Sequence, residues 1–260
     1  MNLAPAAPPS SPAPPRTLHG ARRPALVLVA HGSRDPAAAA EVGRLAAMVA
    51  AARPELDVRP AHLGLNAPLL PEVLAGLGGA AVLVPLLLGR GYHAKVDLPA
   101  VLAAAPQVDG VVAAPLGPDP LLAELLALRL AQAGVRPGAG PVVLAAAGSR
   151  EERAALDTEA QAALLGARLM VPVRAGYVTG AGPGVAEVAA RLAREHGGPV
   201  AVAAYFTAPG DFARLAAAAW DGPAAAPLGA HPLLVRLLLR RYAAAAGRLP
   251  AVARPHPRLV

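Results

Sequence analysis

The chain repeats itself, and the repeat fixes what it can become. VVLAAAGSREE (142–152) matches LVLVAHGSRDP (26–36), VRAGYVTGAGPGVAEV (173–188) matches VRPAHLGLNAPLLPEV (58–73), and APLGAHPLLVRLLLRRY (226–242) matches APLGPDPLLAELLALRL (114–130), at offsets of 116, 115 and 112 residues. Three segments matched in the same order at nearly constant spacing indicate a fused duplication, so both copies must adopt one fold. Within each copy, short apolar runs alternate with helix-like stretches. The first reads as strands 25–30, 56–63, 80–88 and 108–114 with helices 36–52, 68–77, 98–105 and 119–133. After the linker RPGAGP (136–141), the second reads as strands 141–146, 169–175 and 199–206 with helices 151–165, 183–196, 211–219 and 231–245. Continuous apolar strands alternating with helices make a parallel sheet covered on both faces. The expected fold is α/β: two similar lobes, 24–135 and 136–246, facing each other across a cleft. A Pro/Ala-rich leader (1–23), expected to be disordered, and a tail (247–260) flank them.

Asp35-Pro36, Asp97 with Pro99, and Asp119-Pro120 each pair a capping side chain with a proline in the first helical turn, so these aspartates are expected helix caps, with a site role equally open for Asp35.

Composition narrows the function. The mean hydropathy is +0.45, yet apolar runs such as AAVLVPLLLG end in Gly, Pro or charge well short of the roughly 18 residues a bilayer span needs. The proline-filled N-terminus is a poor secretory signal, so the expectation is a soluble, cytoplasmic protein with no membrane partner. There is no cysteine, which leaves His, Asp and Glu as metal ligands. The net charge of +7 comes almost wholly from arginine, with Lys95 the sole lysine. No basic–aromatic clusters accompany it, so no nucleic-acid partner is expected, and a substrate with many carboxylates suits its sign.

Two histidines stand where ligands bind in such sheets, beyond the carboxyl ends of strands. His31 follows the apolar run ALVLVA in ALVLVAHGSRDP, and His93 lies in AAVLVPLLLGRGYHAKVDLP. Two imidazoles around one point suit a divalent transition metal, and Arg90 and Lys95 beside His93 favour its neutral, metal-competent form. The duplication is an internal control. In the second copy Ala147 replaces His31 while Gly148, Ser149 and Arg150 persist, and Phe212 falls opposite His93. The turn chemistry therefore belongs to the scaffold, and the histidines carry something extra. Competing readings fare worse. Ala30 stands where a phosphohistidine site needs arginine, GAGPG (180–184) lacks a Walker lysine or dinucleotide spacing, and no G-x-S-x-G elbow occurs.

VAHGSRDP, followed by a strand ending in proline and leucines, then YHAKVDLP and APLGPDPLL, resembles the sirohydrochlorin chelatases of the class II (cobaltochelatase/ferrochelatase-like) family, over about residues 25–245. The resemblance implies two flavodoxin-like lobes and ATP-independent insertion of Co2+ or Fe2+ into sirohydrochlorin, the metal being a substrate and no organic cofactor being needed. It implies that His31 and His93 bind metal and accept protons. Arg34, Arg90, Lys95 and Ser33 are the nearest candidates for the substrate's carboxylates. One departure stands out. Family members usually carry an acid in the second strand, and here HLGLNAP places Gly64 there. His62, two residues earlier on the same face of a regular strand, either partly replaces that carboxylate or is a packed residue like its repeat partner Tyr177. A non-catalytic tetrapyrrole or metal carrier derived from a chelatase is the alternative function. With two fused lobes a monomer can form the cleft, and a homodimer fits equally.

Overall fold

A computed structural model describes residues 23–249 apart from Ala181, and at His93 the backbone alone. The leader short of Arg23, and the tail beyond Leu249, lie outside the described residues. The first lobe runs β1 (Ala25–Ala30), α1 (Pro36–Ala52), β2 (Val58–His62), α2 (Leu70–Ala75), β3 (Gly79–Pro85), a π-helical turn (His93–Asp97), α3 (Leu98–Ala103), β4 (Val108–Val112) and α4 (Pro120–Gln132). The second runs β5 (Val142–Ala146), α5 (Glu152–Leu169), β6 (Val173–Tyr177), α6 (Val185–His196), β7 (Ala201–Ala204), α7 (Asp211–Ala218) and α8 (Pro232–Ala246). The sheets are parallel, ordered β2-β1-β3-β4 and β6-β5-β7.

The strand period of two sorts the core. On β1, Leu26, Leu28 and Ala30 face one way, Val27 and Val29 the other; β5 does the same with Val142, Leu144 and Ala146 against Val143 and Ala145. The first set from each strand joins a single core running through both lobes. The second set makes a separate outer core in each, under α2 and α3 or under α6 and α7. Every residue of β1 and β5 is buried, because each strand has neighbours on both edges and helices on both faces.

The last helix of each sequence repeat crosses over. α4 packs on β7 and α5, whereas α8 packs on β3 and β4 as well as on α1 and α4. Tyr242 of α8 donates to the Pro24 carbonyl at 2.7 Å, and Arg241 reaches the carbonyls of Pro115 and Leu116. The linker 136–141 divides the repeats, but each sheet is covered by the other repeat's final helix.

Most capping expectations hold. Asp35 accepts from the Ala37 amide at 2.9 Å and Asp119 from the Leu121 amide at 3.0 Å, each with proline at the helix start. At the repeat position of Asp119, His231 does the same through Nδ1 to the Leu233 amide. Asp97 departs from expectation. It closes the π-helical turn in αR geometry and makes no capping bond to α3, because the helical path already passes through it. The expected strand 169–175 also starts later. α5 continues to Leu169, Met170 ends it in the left-handed region (φ 56°), and β6 occupies 173–177. No helix among the described residues is long and apolar enough to cross a membrane.

Candidate active-site cleft

Strand ends of both lobes open onto a cleft of about 610 Å³. One wall begins at β1. Beyond Ala30 the pairing with the second strand continues through bonds from Leu63 to the Ala30 carbonyl and from Gly64 to the His31 carbonyl. Gly32 adopts φ +100°, and a Cβ there would lie 1.9 Å from the Gly64 carbonyl oxygen. Only glycine lets the two backbones approach this closely. The Ser33 amide donates to Asn66 Oδ1 at 2.7 Å, and Ser33 Oγ accepts from the Asp35 amide at 3.1 Å. His31 thus leaves the strand tip at the head of a doubly tied turn, exposed and lining the cleft.

The second lobe reproduces the turn without the histidine. Gly148 has φ +96°, a Cβ there would stand 1.8 Å from the Thr179 carbonyl oxygen, and Ser149 Oγ accepts from the Glu151 amide at 3.1 Å. Ala147 occupies the place of His31 and lines the same cleft.

His93 opens the π-helical turn, and its neighbours Tyr92 and Ala94 line the cleft that His31 lines. Its side chain lies outside what the structure describes. Single π-helical turns gather at functional sites, where they redirect side chains out of the regular helical register.

His62 is buried, 4% exposed, and also lines the cleft. Its Nδ1 lies 3.4 Å from the Pro68 carbonyl, and its buried Nε2 has no hydrogen-bond partner among the described residues. With Nδ1–H directed at the carbonyl, the unpaired Nε2 lone pair is a base or a ligand. Tyr177 is packed likewise, at the register position beside Ala146 that His62 holds beside Ala30. His62 thus packs as its repeat partner does, with an unpaired nitrogen facing the cleft side of the strand end. Among the described side chains no three His, Asp or Glu converge as a metal site.

The expected carboxylate binders are deployed unevenly. Arg34 is exposed at the cleft, with no ion pair among the described residues. Arg90 instead forks onto Asp157 of α5, with Nη2 2.6 Å from Oδ1 and Nε 3.0 Å from Oδ2; its backbone amide adds a 2.9 Å bond to Oδ2. Lys95 pairs with Glu151 at 2.7 Å. Both cations bridge the lobes, which neutralises the charge that sequence proximity to His93 assigned to substrate. Ser33 keeps its hydroxyl proton to offer, its oxygen being taken by Asp35. Burial pushes the Asp157 carboxyl upward, but the hydrogen bonds and charge of Arg90, with Lys95 beyond, outweigh it and hold the group below the usual carboxylate range.

Sequence reasoning missed Asp157, Glu151, Asn66 and the Asp35–Arg214 pair. Each acts across 33 to 179 residues of chain. The repeat could have linked the Lys95–Glu151 and Arg214–Asp35 pairs, since Lys95 and Arg214 occupy equivalent positions and so do Glu151 and Asp35.

Comparison with known proteins places this architecture. The family model described as CbiX matches the chain twice, over residues 25–133 and 141–245. The sirohydrochlorin cobaltochelatase of Methanococcoides burtonii is 30% identical over 117 residues, covering 39% of this chain and 89% of that protein. SirB from Bacillus subtilis, solved with Fe3+, superposes with a TM-score of 0.71 at 24% identity, over 87% of this chain and 98% of that one. CbiX, described as the terminal enzyme of siroheme biosynthesis in denitrifying bacteria, gives 0.67 at 26% identity, over 85% and 99%.

Proposed function

Because the chain belongs to the CbiX family of class II chelatases, we propose that it inserts Co2+ or Fe2+ into sirohydrochlorin without ATP, as a cytoplasmic step toward cobalamin or siroheme. The observation that carries this reading is the shared cleft: His31 and both neighbours of His93 line one opening between the lobes. SirB has been solved with Fe3+ and with cobalt, so the relatives themselves span both metals.

Insertion needs a metal held with exchangeable positions, two pyrrole N–H protons removed, and a macrocycle fixed above the metal. His31 and His93 supply neutral nitrogens that ligate the incoming ion weakly enough to release it. Once the ion has passed to the macrocycle, the freed imidazole nitrogens can take up the two pyrrole protons, and acid–base help of this kind contributes about 10²–10⁴-fold. Arg34 at the cleft rim pairs with a peripheral carboxylate of the macrocycle, and the Ser33 hydroxyl can donate beside it. The apolar stretch of cleft wall formed by Leu86, Leu87 and Ala146 faces the ring itself. The test follows the visible spectrum of sirohydrochlorin when Co2+ or Fe2+ is added with and without protein. Binding of the macrocycle without faster metallation would replace this reading with the non-catalytic carrier, which Gly64 favours by standing where the resemblance implies an acid.

Gly64 offers its own experiment. A Cβ there meets nothing within 4 Å, and its backbone φ lies outside the left-handed region, so Gly64→Glu is sterically free to restore a carboxylate. Co2+ affinity measured by calorimetry should rise by at least about tenfold, the effect of one added charged ligand contributing ~1.4 kcal/mol. His62→Phe tests the other nitrogen. Phenylalanine fills the packed site as tyrosine does in the repeat, so the fold should persist while Co2+ affinity drops several-fold. Unchanged affinity would leave His62 as packing alone.

A further inference from the structure

The two lobes are tied across the cleft by ion pairs, and the duplication separates the inherited ones from the added one. Hydrogen bonds from Leu86 to the Val29 carbonyl and from Tyr205 to the Ala145 carbonyl align the segments after β3 and β7 at an offset of 119. The matched Gly-Ser turns and helix starts align α1 with α5 at 116. In these registers Lys95–Glu151 and Arg214–Asp35 are the same pair, made once in each direction. Gly91 facing Ser149 Oγ and Gly210 facing Ser33 Oγ are likewise one contact made twice. These features belong to the shared scaffold.

Arg90–Asp157 has no counterpart. Arg90 aligns with Pro209, which has no cation to give, and Asp157 aligns with Glu41, which turns instead to Arg44 and the Ala230 amide. The Asp157 side chain is only 3% exposed, yet it takes both a side-chain fork and the backbone amide of Arg90. A carboxylate that grips a backbone amide fixes the course of the chain as well as one side chain. Two further contacts act on the same segment. The Tyr205 hydroxyl donates to the Leu88 carbonyl at 3.1 Å, and a Cβ at Gly89 would stand 3.5 Å from that of Asp157. Three residues after Arg90 the chain reaches His93, and two residues later Lys95 is anchored to Glu151. The histidine position is therefore held on both sides by the lobe that has lost its own histidines.

We propose that the second lobe positions the His93 turn through the Asp157–Arg90 fork, which makes Asp157 a positioning residue for metal insertion. This rests on the chelatase reading above. The fork breaks the pseudo-symmetry in the His93 loop, one of the two places where the histidines break it too, so there the asymmetry of the scaffold follows the asymmetry of the proposed chemistry. It also accounts for a carboxylate buried against an arginine.

The experiment compares wild type, Asp157→Asn and Arg90→Lys in the full chain. With Asp157→Asn, kcat for Co2+ insertion should fall at least tenfold while KM for sirohydrochlorin stays within threefold. Amide hydrogen exchange over residues 89–97 in the metal-free protein should speed up at least tenfold, with exchange elsewhere unchanged. Arg90→Lys keeps the charge but loses the fork, and should show the same pattern at smaller amplitude. It carries the test alone should Asp157→Asn fail to fold, since Arg90 is half exposed. A changed KM with normal kcat would overturn the proposal and return Arg90 to the substrate carboxylates. Unchanged exchange over 89–97 would overturn it as well. Should wild type metallate nothing, the chelatase reading fails, and the exchange comparison still decides whether the second lobe holds this turn.

Discussion

His31→Ala and His93→Ala should each cut metal insertion by at least about 100-fold, the lower end of what a lost acid–base group costs, with folding unchanged. For His31 the protein contains its own control. Ala147 already occupies the equivalent position, on a turn whose glycine keeps φ +96° against +100° in the first lobe. The backbone therefore accepts alanine without rearrangement, and the exposed imidazole contributes little to the packed core. Initial rates from the macrocycle spectrum, beside thermal melts by circular dichroism, separate chemistry from stability. A folded variant that metallates at the wild-type rate would falsify the assignment of that histidine.

Gly32→Ala should be the most damaging single methyl group in the first lobe. The added Cβ would sit 1.9 Å from a backbone oxygen that is itself fixed, because the Gly64 carbonyl accepts from the Asn66 amide and the Gly64 amide is bonded to His31. A φ of +100° adds strain that an alanine cannot relieve without moving the turn. Together these should cost about 2–4 kcal/mol, a fall in melting temperature of roughly 5–15 °C for a chain of this size. Gly148→Ala faces the same clash, 1.8 Å from the Thr179 carbonyl, and should melt equally early. The two should part in activity per folded molecule: displacing the first turn moves His31, whereas displacing the second moves Ala147. Equal losses of activity in both would show that the turns matter only through the shape of the cleft.

Much of this architecture was legible in the sequence because strand periodicity and turn chemistry are local. Val27 and Leu28 are buried on opposite faces of one strand, and a run of apolar residues announces that without knowledge of partners. Asp35 and Asp119 cap because a proline follows each. Asp97 failed the same rule, since a proline two residues on does not distinguish a helix start from the interior of a helical path that has already begun. Met170 in a left-handed conformation ends α5 without the glycine that usually marks such a stop, so the strand after it was expected too early. The candidate site stood out through the histidines, which differ between the repeats. Its wiring did not: nothing near Arg90 in sequence names Asp157, 67 residues away, as the anion that claims it.

With α4 and α8 crossed, the two repeats should depend on each other for folding. Cutting at residues 136–141 and expressing the halves apart would strip each sheet of a covering helix, so complementation on mixing is the natural behaviour and independent folding is not. An arrangement in which two identical chains trade their final helices becomes, once joined end to end, a pair that cannot drift apart. Each copy is then retained for the shelter it gives the other, and mutation is free to erase chemistry from one of them. The half that carries Ala147 and Phe212 stands as the wall against which the half with His31 and His93 is built.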